Sequence, residues 1–439
     1  MQLDRRSPLR ARLGAAACVL LASAPAAPAA ADTSTDPAPG ASATQLELSG
    51  LVYGEKGRTD VLEPTVRVTR LFANGQSLTA EAGFDAMTGA SPTGGVASLR
   101  TQTTTSASGQ STSIPASQVP TAMFRDQRES FDLGWSVPVG PFTATTGGHF
   151  SHEKDYRSLG ANAVVTLDLL QKSVQLTGGA GMNRDRVDPV GGAVRGLTPG
   201  DPLGTAPDPK RVTSMLAGIS RVMSRRWLAG VSATREVERG YLTEPYKVLD
   251  VLDPATLETA QQLREKRPEL RTRTSVLASS TWHFGDAGGD VGYLNYRWYT
   301  DDWGVRSNTV DLKWRHDLDD RHWIQPHVRG YSQRQADFFR YYLVQGEPLP
   351  AFASSDERLG PLRTVTVGAT YGFQVPNLPG EWSVRAEYLH QWGPGKLTRP
   401  QAAVAGGDDD GGDAANGGTV DLMPAVHIGS LLVSYSIGF

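Results

Sequence analysis

The chain has 439 residues, with 43 Lys and Arg against 46 Asp and Glu, a formal net charge of −3, 48 glycines and one cysteine. It contains no run of about 20 apolar residues for a membrane helix, no basic excess of the kind nucleic-acid binders carry, and too few cysteines for a disulfide framework or a cysteine-rich zinc site. Nine Trp, thirteen Tyr and twelve Phe give it more to bury than a disordered chain has.

Arg5, Arg6, Arg10 and Arg12 precede the apolar run Leu13 to Ala24, which gives way to small residues through Ala31. A basic start, a short apolar stretch and an A-x-A-like exit predict a secretory signal over 1–31, too short to span a bilayer. Cys18 lies inside it, and Val19-Leu20-Leu21 continue the run beyond, so Cys18 reads as part of the signal rather than a lipid acceptor. Residues 32–43, rich in Pro, Ser, Thr and Ala, read as a flexible leader, and 44–439 as the body.

From Gln45 onward nearly every regular stretch alternates with period two, as strands with unlike faces do. Leu78, Ala80, Ala82 and Phe84 oppose Glu81, Gly83 and Asp85. Phe131, Leu133, Trp135 and Val137 oppose Asp132, Gly134 and Ser136, while Val310, Leu312 and Trp314 oppose Asp311, Lys313 and Arg315. Val365 to Phe373 and Leu431 to Phe439 repeat the pattern. A soluble sandwich also alternates, but three features point to a membrane. The strands run to about 10–13 residues, long enough to cross a bilayer at a tilt. Their polar faces are charged, and Arg67, Glu81, Asp85, Arg297, Asp311, His327, Arg329, Arg385 and Glu387 are expected to face a wet lumen. The final strand, with Tyr435, Ile437 and Phe439, resembles the recognition signal of outer-membrane barrels, which makes the barrel-assembly machinery an expected partner.

About sixteen strands are expected, beginning near residues 44, 61, 77, 129, 142, 159, 173, 211, 227, 269, 290, 304, 322, 360, 380 and 426. Alternate connections (73–76, 139–141, 170–172, 224–226, 285–289, 318–321 and 375–379) are short. The long ones, 88–128, 184–210, 241–268, 336–359 and 393–425, all fall in the other set. This parity predicts short periplasmic turns, long extracellular loops and both ends of the chain in the periplasm. Trp227, Trp282, Trp323 and Trp382 at periplasmic strand ends, with Tyr299, Trp303 and Trp392 at outer ends, are expected to form interface belts.

Four segments, Val61-Leu-Glu-Pro-Thr-Val-Arg-Val-Thr69, Asp85-Ala-Met-Thr-Gly-Ala-Ser-Pro-Thr-Gly94, His152-Glu-Lys-Asp-Tyr-Arg-Ser-Leu-Gly160 and Tyr296-Arg-Trp-Tyr-Thr-Asp-Asp-Trp-Gly-Val-Arg-Ser307, carry a resemblance. The chain resembles a bacterial family of outer-membrane β-barrels catalogued as a domain of unknown function, over nearly all of the span from about 45 to Phe439. The resemblance implies location and shape, and no activity, ligand or catalytic residue.

Candidate chemistry is sparse. Thr88–Gly94 has the small residues of an anion cradle but no following helix, so a turn folding the loop toward the lumen is expected. Asp301 and Asp302 suit Ca²⁺ by type, yet Asp also favours tight turns, and a turn is expected. Asp408-Asp-Asp-Gly-Gly-Asp413 lacks calcium-loop spacing and reads as a solvated outer loop open to weak divalent-cation binding. His149 and Ser151 share a strand face, but no oriented base or oxyanion hole accompanies them. Leu257, Ala260 and Leu263 at helical spacing predict a short helix within 254–269.

The expected protein is therefore an all-β transmembrane antiparallel barrel of the bacterial outer membrane, in contact with outer-membrane lipid, with no cofactor, metal or nucleic-acid partner and no enzymatic activity. The interval before the first strand leaves no room for a folded plug. A passive or gated channel for polar solutes, with a mixed-charge lumen of little charge preference, is the leading expectation. A closed or plugged barrel docking a periplasmic or surface protein is the alternative, and a lipid-modifying enzyme using His149 the third.

Overall fold

The computed structural model describes residues 42–98, 101–105, 111–116, 118–189, 192–198, 208–285, 289–400 and 418–439. The expected signal, most of the leader and the acidic run 408–413 lie outside these residues.

In chain order the strands are β1 (Ala43–Glu55), β2 (Thr59–Leu71), β3 (Ser77–Pro92), β4 (Gln102–Thr105), β5 (Ser111–Ile114), β6 (Thr121–Val139), β7 (Phe142–His152) and β8 (Tyr156–Leu169). Next come β9 (Val174–Val187), β10 (Asp208–Ser224), β11 (Trp227–Gly240), β12 (Val248–Leu252), β13 (Thr259–Arg264), β14 (Leu270–His283), β15 (Val291–Asp301) and β16 (Arg306–Asp317). The last are β17 (His322–Arg334), β18 (Leu343–Val344), β19 (Leu362–Phe373), β20 (Glu381–Trp392), β21 (Lys396–Thr398), β22 (Thr419–Asp421) and β23 (Val426–Gly438).

Sixteen of them close into one barrel in sequence order, β1-β2-β3-β6-β7-β8-β9-β10-β11-β14-β15-β16-β17-β19-β20-β23. The seam runs antiparallel from Gln45↔Gly438 to Glu55↔Ile428, and Thr44 and Phe439 exchange two backbone hydrogen bonds of 2.7 and 2.9 Å. Sixteen strands spaced about 4.8 Å apart and tilted about 40° enclose a cylinder about 30 Å across.

Alternation sets the faces. Phe84, Trp135 and Val367 are 38%, 52% and 46% exposed on the outside, while Glu81, Asp132 and Thr366 beside them turn inward. Apolar side chains outside and polar ones inside suit lipid around a wet lumen, the arrangement of a transmembrane barrel. Short turns gather at one end, such as Phe72–Gln76, where Gly75 takes φ of 80°. Long connections gather at the other end, as the parity predicts.

The described parts of the long loops are not free. They build three apolar clusters, around Trp303, Phe338 and Phe339, around Val96, Leu252 and Leu397, and around Leu249, Leu263 and Ala353. β12 pairs with both β13 and β18 in a small sheet. The long loops thus form an ordered cap, because each carries a few apolar residues that pack within their own loop and against residues of other loops.

Three further expectations are corrected. The helix within 254–269 is instead a hairpin. Asp253 Oδ1 accepts the N–H groups of Ala255 and Thr256, Leu257 takes φ of 57°, and β13 runs back along β12. Leu257 and Leu263 sit at helical spacing by coincidence, each packing in a different cluster. The turn expected over 88–94 begins later, because β3 continues as a strand to Pro92. The aromatic belts are thinner than expected. Trp323 turns inward onto Gly372, donating to Glu381 at 3.1 Å under the Arg315 guanidinium. Trp303 is buried in the cap, and Tyr299 turns inward to bond Asp301.

Candidate functional site

The candidate site is the lumen with its cap. On the β1–β6 wall, Arg67 stands between Glu47 and Glu81, at 3.3 and 2.5 Å. Asp85 pairs with Arg128, and Asp132 Oδ1 accepts from His149 Nδ1–H at 2.8 Å. Ser151 lies one step up the same face, between Ser130 and Ser158 in register. Further round, Lys210 lies 3.8 Å from Asp185 and 3.7 Å from Glu238. Arg273 holds Glu236 and Glu238, and Arg271 holds Asp301.

On the β15–β20 wall, His327 on β17 reaches the adjacent strand β16 through Nε2 to Asp311 at 2.8 Å and, past Gly368 on β19, reaches β20 through Nδ1 to Glu387 at 2.7 Å. A ring with carboxylates on both nitrogens donates twice only as the imidazolium. Arg385 lies 3.9 Å from Glu387. Arg329 is opposite Asp311 in register, and Arg297 lies 5.6 Å over the Tyr299 ring. Among the described residues, Arg297, Lys313 and Arg329 make no ion pair.

The inward charge is therefore uneven. Glu47, Glu63, Glu81, Asp85, Asp126 and Asp132 crowd one wall with Arg67 and Arg128, while the unpaired cations gather opposite. The lumen is mixed in charge, as expected from the sequence, but its two signs are unevenly divided between the walls, because the register sorts charges that are scattered along the chain.

Tyr435 and Ile437 face outward beside the seam, Tyr435 stacking near Trp382 at 4.7 Å between centroids. At the outer turn, Asp301 Oδ1 accepts the N–H groups of Trp303 and Val305, and Asp302 Oδ1 that of Thr272. These carboxylates are occupied as turn acceptors.

The cap adds charged contacts that the alternation does not reveal. Arg267 lies between Glu265 at 2.6 Å and Asp356 at 2.7 Å, with side chains 11%, 0% and 1% exposed. Ser354 Oγ donates to Glu265, as does the Glu244 N–H at 2.7 Å. Burial pushes the Glu265 carboxyl up, and Arg267 offsets this in part. Burial also opposes ionisation of Asp356, but Arg358 and Arg267 outweigh it and hold its pKa well below the ordinary carboxylate range. Arg399 donates to the carbonyls of Ala97 and Leu257 and lies 3.0 Å from Glu258. Val96 N–H donates to buried Asp250 at 2.7 Å.

These contacts join distant walls. The β3–β6 loop meets the β11–β14 loop through Val96 and Asp250, and the latter meets the β17–β19 loop through Arg267 and Asp356. The first two connections lie six positions apart in the ring of sixteen, on nearly opposite walls, and the second two lie four apart, about a quarter turn, so the first contact crosses the mouth and the second extends the cap round it.

Asp126, Glu153 and Asp155 bring one carboxylate oxygen each within 4.8 Å of one another at the β7–β8 turn. Burial, with Asp126 beside it, pushes Glu153 up to about 7. Among the described residues these three are placed to share a cation by type and distance, although Arg128 lies 3.9 Å from Glu153 and Tyr246 donates to Asp155 at 2.5 Å.

A closed barrel, greasy outside and charged inside, defines the class: a transmembrane antiparallel barrel of the outer-membrane type. The chain belongs to the DUF3570 family, described as proteins of unknown function, whose model matches residues 10–407. The match starts earlier than the expected span and stops before β23. No curated protein matches the sequence. Among solved structures the chain is similar to a bacterial polysaccharide outer membrane secretin (8% identity, TM-score 0.42, covering 92% of this chain and 100% of that one). It is also similar to the outer membrane protein opdK from Pseudomonas aeruginosa (10% identity, TM-score 0.37, 91% and 99%). A third likeness is to CdiB from Acinetobacter baumannii (7% identity, TM-score 0.44, 90% and 60%). At these identities the likeness concerns barrel shape alone.

Proposed function

We propose that this protein is a gated channel for polar solutes in the bacterial outer membrane, with its long-loop end outward and its cap closed at rest. The observation that carries the reading is the cap: loops from nearly opposite walls interlock above a charged, water-suited lumen. A permanently open pore has no use for the Val96–Asp250 contact across its mouth, nor for the buried Glu265–Arg267–Asp356 cluster that locks the same loop to its other neighbour. The acidic crowding on the β1–β6 wall favours cations inside the lumen, since rings of carboxylates select that sign. His149 on Asp132 belongs to this wall as a lumen pair.

Planar-bilayer recording of the purified protein tests the proposal. Discrete, infrequent openings are expected, becoming frequent when the cap is loosened by Arg267→Ala. Silence from both proteins would refute it. The neutralised pairs inside, Arg67 with Glu47 and Glu81 above all, favour a second reading, a closed barrel that docks a protein partner. Silence together with stable co-purification of one partner in mild detergent would select that reading.

A further inference from the structure

The outer face of β8–β11 carries six arginines near the long-loop end: Arg157, Arg184, Arg186, Arg211, Arg235 and Arg239, all exposed. Register sets them against one another. Arg157 is directly opposite Arg186, Arg184 opposite Arg211, and Arg211 opposite Arg239. Like charges directly across a sheet repel and destabilise it. No acidic residue shares the outward face of these four strands, and among the described residues none of the six makes a side-chain hydrogen bond or ion pair. A row of guanidinium groups therefore stands uncompensated by its own protein.

The height of the row says what meets it. On β10 the outward series is Arg211, Thr213, Met215, Ala217, Ile219 and Arg221. Ten residues at about 3.3 Å each, tilted about 40°, rise about 25 Å, the height of the apolar band on such barrels. Arg211 and Arg221 thus bracket the hydrocarbon, and the arginine row lies at the level of the headgroups on the long-loop side. Guanidinium forks match phosphate oxygens two at a time. A phosphate-bearing headgroup there neutralises opposed arginines together, converting repulsion into a bridge.

We propose that the β8–β11 face is a binding site for the phosphate groups of an outer-leaflet lipid, with Arg184, Arg211 and Arg239 at its centre. This rests on the membrane location and orientation of the barrel, and not on channel activity.

Native mass spectrometry of the folded full-length protein in neutral detergent, titrated with diphosphoryl lipid A or with the same lipid stripped of its phosphates, tests it. The phosphorylated lipid is expected to bind about tenfold or more tightly than the stripped one, and the Arg184→Gln/Arg211→Gln/Arg239→Gln variant to lose that advantage. Arg221→Gln, on the opposite interface, is expected to keep it. Equal binding of the two lipids to the unaltered protein would overturn the proposal whatever the variant does. Full displacement by millimolar inorganic phosphate would overturn the assignment to a lipid in favour of a small-anion site. Conductance recorded on the same preparations separates failure of this site from failure of the channel reading.

Discussion

Arg267→Ala is expected to unlock the cap while leaving the barrel intact. The side chain touches two carboxylates that are essentially inaccessible to water, Glu265 and Asp356. Breaking a buried ion pair from one side costs about 3–5 kcal/mol, because the remaining charge stays buried. Arg358 still holds Asp356 at 2.6 Å, so the lower end, about 3 kcal/mol, applies, and Glu265 bears most of it. At about 1.4 kcal/mol per tenfold, the ratio of open to closed cap rises about a hundredfold. Hydrogen exchange in lipid nanodiscs reads this directly. Amides of β12 and β13 should exchange about a hundredfold faster, while β19 and β20 serve as an unchanged internal reference. Adding Glu265→Gln removes the stranded charge and should restore part of the protection. Unaltered exchange in β12 and β13, or equal acceleration in β19, would refute the reasoning.

Other outcomes follow from the same geometry. Glu153 has its carboxyl raised from 4.5 to about 7, so the folded turn binds a proton that the unfolded chain releases. Its stability is therefore greatest in acid and falls as pH rises through that window. Glu153→Gln should abolish the dependence and slow exchange in the 153–156 turn at alkaline pH. Gly372→Ala places a Cβ 2.0 Å from Trp323 Cε2, so the β17–β19 pairing must shift. A reduced folded fraction by heat-modifiable gel mobility is expected, and normal folding would show that Trp323 is free to move. Leu252→Ala, at a side chain 0% exposed, should cost about 2–5 kcal/mol of cap stability, seen as faster proteolysis of the 341–356 segment. In a cap-loosened background, Glu81→Gln with Asp132→Asn should lower cation preference, and an unmoved reversal potential would remove the polarised-lumen argument.

The barrel was legible because its two solvents are written into every strand. Alternation at Phe84 and Glu81, or at Trp314 and Asp311, needs no knowledge of the neighbours, and connection length then orients the whole. What stayed hidden depends on contacts between remote segments. Nothing near Arg267 announces Asp356, and Val96 and Leu397 look like stray loop residues until they meet Leu252. Trp323 misled because a strand-end tryptophan has the same sequence signature whether it faces lipid or turns inward onto a glycine of the adjacent strand. The lumen charges were visible singly, but their segregation into an acidic and a basic wall emerges only from register. So does the arginine row, whose members lie up to 82 positions apart between Arg157 and Arg239.

The seam between β1 and β23 has a consequence for how the molecule can be made. The two strands that finish the circle lie at opposite extremes of the described body, so the cylinder stays unzipped until the last of them is delivered. In hydrocarbon every bare amide along such a rim costs several kcal/mol, so a partly built sheet cannot wait in lipid with two naked margins. Either the sheet matures outside the bilayer and enters as it zips, or something lends a temporary margin for Leu46 to Val52 until Leu431 to Ile437 arrives.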